Sequence, residues 1–326
     1  MKGVIEFRLL VNGADHSFMM EPDGCLRCLF PLFRANTSVS LLLIYRTKTK
    51  EELIWHGLFD CGQGVVNNML HNFRVLGYKP RIDGVIASHW HPDHTAGLNQ
   101  LGAGFERFLK AANNFHPIPL WCREHTLEHL KKSHKFELGR YFTPTDILPS
   151  DTAVPGTLLP PIDLRNFGGP AEVVIQPFSI SHDTAGSYST AGFIITAPSG
   201  RRSGLVWDLD ESNSWIVESP DADCNRLLHG LDVLFLDVNT WSVPGRGHSC
   251  FEGLKRHIRA LSAQETVLIH LSGHEDGPSN LGYGWSNAEW EVRAREHWND
   301  LPGVASVLDV GRIRSLGVVD APNGGK

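Results

Sequence analysis

The apolar positions of this chain fall into short runs bounded by polar residues and turn formers. "SLLLIYR" (40–46) and "ELIWHGLFD" (52–60) each have strand length and predict consecutive buried strands. "CGQG" then breaks the pattern, and Val65, Met69, Phe73 and Leu76 recur at helical spacing. "GVIAS" (84–88) predicts another short strand. Between 103 and 170 the signal weakens: "REHTLEHLKKSHKF" reads as an amphipathic helix and "TPTDILPSDTAVPGTLLPP" as Pro-rich loop. Strands resume with "AEVVIQPFSIS", "AGFIITAP", "SGLVWDLD" and "DVLFLDV", the second and third joined by a hairpin at Ser199–Gly200. "FEGLKRHIRALSA" predicts a helix with Leu254, Ile258 and Leu261 on one face. "TVLIHLS" is a strand, "NAEWEVRAREHW" a helix capped by Asn287, and "ASVLDVGR" the last strand.

The strands come in two blocks, mostly as adjacent hairpins, and each block has its own helices. This predicts an α/β (α+β) protein: two mixed sheets packed face to face with helices outside. No repeat, low-complexity tract or linker divides the chain. Residues 1–326 read as one domain, with 103–170 as a helical and Pro-rich insertion that shapes the pocket.

Composition narrows the function classes. The 326 residues are 41% hydrophobic and 20% charged, an ordinary globular balance. The formal net charge of −6 argues against wholesale binding to nucleic-acid backbones. The six cysteines are scattered and no signal peptide is evident, which predicts a reduced, cytoplasmic protein. No apolar run approaches a membrane span.

Seventeen histidines are many for this length, and four metal-binding side chains crowd into "SHWHPDHTAGL": His89, His91, Asp93 and His94. His89 and His91 alternate in extended chain and so point the same way. Pro92 turns the chain, so Asp93 and His94 face a second point nearby. Imidazoles and a carboxylate are ligands that ions such as Zn²⁺ prefer. One cluster cannot complete two coordination spheres. Further ligands must come from later strand ends, where His182, Asp208 and His270 are candidates and Asp210 and His274 compete with the last two.

These residues carry a resemblance. "FDCGQG" (59–64), "SHWHPDHTAGL", "GLVWDLDES" and "GRGHSCFEGLKRHIRA" followed by "TVLIHLS" are similar, in family order, to motifs of the metallo-β-lactamase fold superfamily. The match is best to its tRNase Z and cyclic-phosphate phosphodiesterase branch. The resemblance implies an αββα sandwich with two metal sites at one edge. One would use His89, His91 and His182, the other Asp93, His94 and His270, with Asp208 bridging and Asp60 orienting ligands from outside. It implies two Zn²⁺, with Mn²⁺ or Fe²⁺ as alternatives, and it allows a homodimer.

Two such ions about 3.5–4 Å apart share a hydroxide that serves as nucleophile at neutral pH. The resemblance makes Asp93 and His248 the catalytic residues. His248, in the Gly-rich "VPGRGHSCFEG", would protonate a leaving alkoxide. Arg246 is a weaker candidate for holding phosphate. The last ligand stretch, "HLSGHEDG", lacks the Arg and Tyr of the tRNase Z branch, and no separate basic arm is present. A small or nucleotide-like phosphodiester is therefore the favoured substrate. A carbonyl-ester hydrolase (lactonase, thioesterase or β-lactamase type), an RNA 3′-processing endonuclease and a non-enzymatic sensor are the rivals. Cys25 and Cys28 in "CLRC" are read as plain thiols rather than a further zinc site, and Cys61 as a small apolar residue beneath the site. Trp90, Trp207, Trp241 and Trp285 are read mainly as core.

Overall fold

The computed structural model describes residues 3–16, 35–111, 115–149, 154–182, 189–242, 247–272 and 281–321. Cys25, Cys28, Arg246 and His274 lie outside the described residues. One sheet contains β1 (Val4–Gly13), β2 (Ser38–Arg46), β3 (Glu51–Phe59), β4 (Gly84–Ile86), β5 (Ile118–Trp121), β6 (Phe142–Pro144) and β13 (Ile313–Asp320), in the order β13-β1-β2-β3-β4-β5-β6. The other contains β7 (Val174–Ser181), β8 (Ser189–Thr196), β9 (Arg202–Val206), β10 (Val233–Asp237), β11 (Glu265–Ile269) and β12 (Val304–Val307), in the order β12-β11-β10-β9-β8-β7.

Side-chain alternation sorts the apolar residues into three packed layers. Leu41, Leu43, Trp55, Phe59 and Ile86 of the first sheet meet Phe193, Ile195, Leu205, Phe235 and Ile269 of the second. The opposite parity of the first sheet, Leu42, Ile44, Leu58 and Val85, packs against α1 (Val65–Leu76) and α3 (Leu98–Ala111). Leu234, Leu236 and Leu268 of the second sheet share a cluster with residues of α5 (Trp215–Glu218), α6 (Asp223–Leu228), α7 (Lys255–Leu261) and α8 (Asn287–His297). A sheet covered on both faces needs apolar residues at both parities, which is why these strands read as runs. The result is the four-layer αββα sandwich expected. Among the described residues, no helix is long and apolar enough to cross a membrane.

Four expectations change. Among the described residues, consecutive strands pair antiparallel only within β1-β2-β3 and β7-β8-β9; β3 to β6 and β9 to β12 pair in parallel. The intervening helices make these pairings parallel, because a helical crossover returns the chain to the same edge. The segment 103–170 supplies two strands, β5 and β6, to the first sheet besides α4 (Glu124–Ser133). The last strand is β13, which pairs antiparallel with β1. The cap of α8 is Ser286, one residue before the expected Asn287. Its hydroxyl accepts from Glu289 N while the Glu289 carboxylate accepts from Ser286 N, a capping box.

Beneath the first sheet, His56 is fully buried. Its Nδ1 contacts Arg81 O at 2.5 Å and its Nε2 lies 2.7 Å from Ser40 Oγ, which itself accepts from Asn12 Nδ2. Burial disfavours its charge and lowers its pKa from 6.5 to about 4. The unfolded chain therefore binds a proton that the folded chain refuses between those values. The stability this contributes is complete above pH 6.5 and is lost as the pH falls towards 4. Between pH 7.5 and 4.5 the protein should lose about 2.5 kcal/mol more than a His56→Gln variant, measured by denaturant unfolding of both.

Candidate metal centre

The parallel strands aim their C-terminal ends at one edge of the sandwich, and the polar residues of interest follow those ends. Asp60 follows β3; Ser88 and His89 follow β4; His182 follows β7; Asp208 follows β9; Asp237 ends β10; His270 follows β11. Asp93 and His94 lie in the single-turn helix α2 (Pro92–Thr95). Asp60, Asp208 and His270 have left-handed backbones, with φ of 56°, 59° and 65°. Non-glycine residues pay of order 1–2 kcal/mol for this conformation, so the surrounding packing must impose it. The bend turns each side chain off its strand into the space between the sheets.

There the side chains converge. His94 Nε2 lies 3.3 Å from Asp93 Oδ2 and 3.1 Å from Asp208 Oδ2. His270 Nε2 lies 3.5 Å from Asp93 Oδ2 and 3.7 Å from Asp208 Oδ1. His182 Nε2 lies 3.2 Å from His91 Nδ1 and 3.6 Å from Asp208 Oδ1. Ligands about 2.0–2.1 Å from a tetrahedral ion are roughly 3.3 Å from each other, so these separations fit a shared cation. His89 Nε2, His94 Nε2, His270 Nε2 and Asp208 Oδ2 are buried without a hydrogen bond. Buried polar atoms are rarely left so, and a cation would satisfy all four. Two groups that could hold an ion are His89/His91/His182 and Asp93/His94/His270, and Asp208 also clusters with His89 and His94.

A further set of contacts orients these donors. Asp60 is fully buried and its Oδ2 accepts from His94 Nδ1 (2.8 Å), Ser88 Oγ (2.6 Å) and Trp207 Nε1 (2.7 Å), while Oδ1 accepts from Ser88 N (2.7 Å). With its Nδ1–H committed to Asp60, His94 presents Nε2 to the cluster. His182 is set likewise by donation from Nδ1 to Gly247 O at 2.8 Å. The Asp60 turn packs directly on α2: Cys61 N donates to His94 O at 2.7 Å, and Gly97 N to Cys61 O at 2.8 Å. A Cβ on Gly62 would lie 1.8 Å from Asp93 O, so only glycine fits there.

The electrostatics divide the imidazoles. Burial, reinforced by neighbouring imidazoles, holds His89 well below its ordinary pKa and lowers His91 to about 4, so both are neutral donors. Burial opposes charge on His94 and His270 too, but Asp208 with Asp93 and Asp60 outweighs it at His94, and Asp208 with Asp237 raises His270 to about 10. Asp93 and Asp208 are held well below the carboxylate range despite burial, by the imidazoles around them. The carboxylates thus draw positive charge into a buried site, and a divalent ion would take the place of those protons.

All seven residues expected as ligands lie in this cluster. Asp210 does not join it: its carboxylate accepts from Ser181 Oγ at the end of β7 and from Ser212 N and Asn213 Nδ2 within its own turn. Cys61 is fully buried, and burial with the Asp60 charge pushes its thiol up, so it offers no thiolate. Trp207 and Trp241 are core. Trp90 is not: it is half-buried and stacks on His129 of α4 with ring centroids 4.1 Å apart. Trp285 is likewise only partly buried. His248 stands beside the cluster, with Nδ1–H donated to Asp237 Oδ2 at 3.0 Å. Sequence reasoning missed Asp237, which also faces His270 Nδ1 at 3.4 Å and accepts from Leu209 N. Its signal was available: "VLFLD" places an acid at a strand end just as "GLVWD" does.

Replacing Asp60 by Asn should weaken divalent-metal affinity by about 10–100-fold while the far-ultraviolet circular dichroism stays native, as read by competition with a chromophoric chelator. Gly62→Ala should cost at least about 3 kcal/mol in a denaturant titration, because neither Asp93 O nor the turn can move aside.

The comparisons agree with this geometry. The chain matches the family described as the beta-lactamase superfamily domain over residues 57–271. Among solved structures it is similar to a diphosphatase from the PhnP family, at 17% identity and a TM-score of 0.62, covering 98% of this chain and 100% of that one. It is also similar to the metallo-beta-lactamase fold protein YhfI from Bacillus subtilis, at 15% identity and a TM-score of 0.59, covering 95% and 99%. A long-form RNase Z from yeast matches at 12% identity and a TM-score of 0.55, covering 97% of this chain and 42% of that one. At these identities the likeness is one of fold. No curated protein sequence matches significantly. With the family match spanning the Asp60 turn, the histidine motif and the strand of His270, this chain belongs to the beta-lactamase superfamily.

Proposed function

We propose that this protein is a dinuclear metal-dependent phosphodiesterase, with zinc the favoured metal, acting on a small or nucleotide-like phosphodiester. His89, His91 and His182 would hold one ion and Asp93, His94 and His270 the other, with Asp208 between them. Bound ions supply a nucleophilic water at neutral pH and neutralise charge on the phosphoryl oxygens.

The observation that carries the reading is the Asp237–His248 pair at the margin of the cluster. His248 is 5% exposed, and its ring centroid lies 5.0 Å from that of His182 and 5.1 Å from that of His270. Burial works against its charge, but the Asp237 carboxylate outweighs burial and raises its pKa. Asp237 is itself lowered to about 2 and so keeps its charge, against its own burial, through His248 and His270. A positioned imidazolium can protonate a departing alkoxide, the step that an unactivated phosphodiester most needs. With Nδ1–H fixed on Asp237, Nε2–H is the proton available to the substrate. Asp93 supports the chemistry from within the cluster, where its Oδ2 contacts both His94 and His270. The net charge of −6 favours a small substrate over a long polyanion.

The test is turnover by metal-loaded protein of bis(p-nitrophenyl) phosphate and a cyclic nucleotide, set against a lactone and thioester panel. His248→Ala should lower kcat for the cyclic nucleotide by about 10²–10⁴-fold, and the nitrophenyl diester much less, because its leaving group needs no acid. Two ions per chain should remain. Turnover of lactones alone would overturn the phosphodiester reading. Loss of an ion from the His248 variant would make His248 a ligand instead.

A further inference from the structure

His16 belongs to no motif, and neither the strand pattern nor the metal reading uses it. Yet its backbone is sewn to the strand end that carries His270. His16 N donates to Leu271 O at 3.2 Å, Leu271 N to Ala14 O at 3.0 Å, and Asp15 N to Ala35 O at 3.1 Å. Asn36 Nδ2 donates to His16 O at 2.9 Å. This anchoring is more than a loop residue on the surface requires. It fixes where the ring sits.

The ring lies edge-on to two site imidazoles, with its centroid 4.6 Å from that of His248 and 4.7 Å from that of His270. Its Nε2 is 4.0 Å from Asp93 Oδ2, so the ring points into the cluster rather than away from it. The side chain of His16 keeps 13% exposure, against 6% for His248 and none for His94 or His270. Of these four imidazoles His16 is the most exposed and lies on the solvent side.

We propose that His16 contacts the substrate, donating an imidazole N–H to an anionic non-bridging oxygen of the phosphoryl group. This deepens the phosphodiesterase reading and rests on it. An anionic diester entering this edge approaches the carboxylates of Asp93, Asp208 and Asp237. An N–H on the Asp93 side offsets that repulsion at the oxygen nearest it, and donation needs only neutral imidazole. A neutral carboxylic ester carries no anionic oxygen when it binds, so its binding gains far less from the contact. His16 therefore selects for an anionic phosphoryl substrate, whereas His248 serves the leaving group.

The experiment compares wild type, His16→Ala and His16→Gln as full-length, zinc-loaded protein. Metal per chain is measured by mass spectrometry, inorganic phosphate binding by calorimetry, and kinetics with bis(p-nitrophenyl) phosphate and p-nitrophenyl acetate. His16→Ala should raise KM for the diester and weaken phosphate by about tenfold or more, with the metal content and the acetate kinetics unchanged. His16→Gln, which keeps an N–H donor, should recover part of the loss. Unchanged KM and phosphate affinity in His16→Ala would overturn the assignment while leaving the phosphodiesterase reading intact. Loss of an ion, or an equal fall on both substrates, would also overturn it, by making His16 a ligand or a structural prop. If wild type cleaves no diester, the phosphodiesterase reading fails, and phosphate binding alone decides His16: tenfold weaker in the alanine variant upholds the contact, and equal or absent binding in both overturns it.

Discussion

One buried carboxylate joins the two halves of this protein. Asp60 leaves the first sheet, and its Oδ2 accepts hydrogen bonds from Ser88 at that sheet's edge, from His94 of α2 and from Trp207 of the second sheet. Trp207 directly precedes Asp208, so the hydrogen bond that couples the sheets also places the carboxylate at the centre of the cluster. Charge-assisted bonds of this kind are short and directional, and with all of them inside the core none is weakened by competition from water. Fixing Asp60 fixes His94 and the approach of α2. Without it the donors of the first sheet would have no common reference with those of the second.

The geometry concentrates like charge at an energetic cost. Asp60, Asp93, Asp208 and Asp237 are all nearly or fully buried within a few residues of one another's partners. Carboxylates in such a place need compensating positive charge, and here imidazoles supply it. Left-handed backbones at Asp60, Asp208 and His270 add strain at the same three points. Strain and buried charge gathered at one edge, on strands whose cores are otherwise closely packed, mark a site shaped for a ligand rather than for stability.

The divide between neutral and protonated imidazoles has the same origin. Burial, with neighbouring imidazoles, keeps His89 and His91 below the ordinary imidazole range, while at His94 and His270 the surrounding carboxylates outweigh burial and raise the pKa. Asp237 extends this influence to His248, so the leaving-group side of the proposed reaction and the ligand cluster share a carboxylate. His16, tied to Leu271 beside His270, brings the solvent-facing side into the same frame.

The sequence by itself pointed to the strand runs, the helices at Val65 and Lys255, and the candidate ligands His89, His91, Asp93 and His94, because all of these rest on local signals. Two-sided burial writes continuous apolar runs, and His89, His91, Asp93 and His94 sit within one turn of chain. What it left open was set by distance. Whether "SGLVWDLD" and "DVLFLDV" pair as a hairpin or in parallel depends on where the helix between them packs, and β1 and β13 find each other only across the whole chain. Asp208 and Asp210 are equal candidates in sequence; one left-handed residue turns Asp208 inward, while Asp210 is consumed by its own turn. His16 carries no motif at all, and Asp237 shows only as an acid at a strand end. Only the tertiary structure decides their place, because a side chain acquires its chemistry from the charges that folding brings within a few ångströms of it.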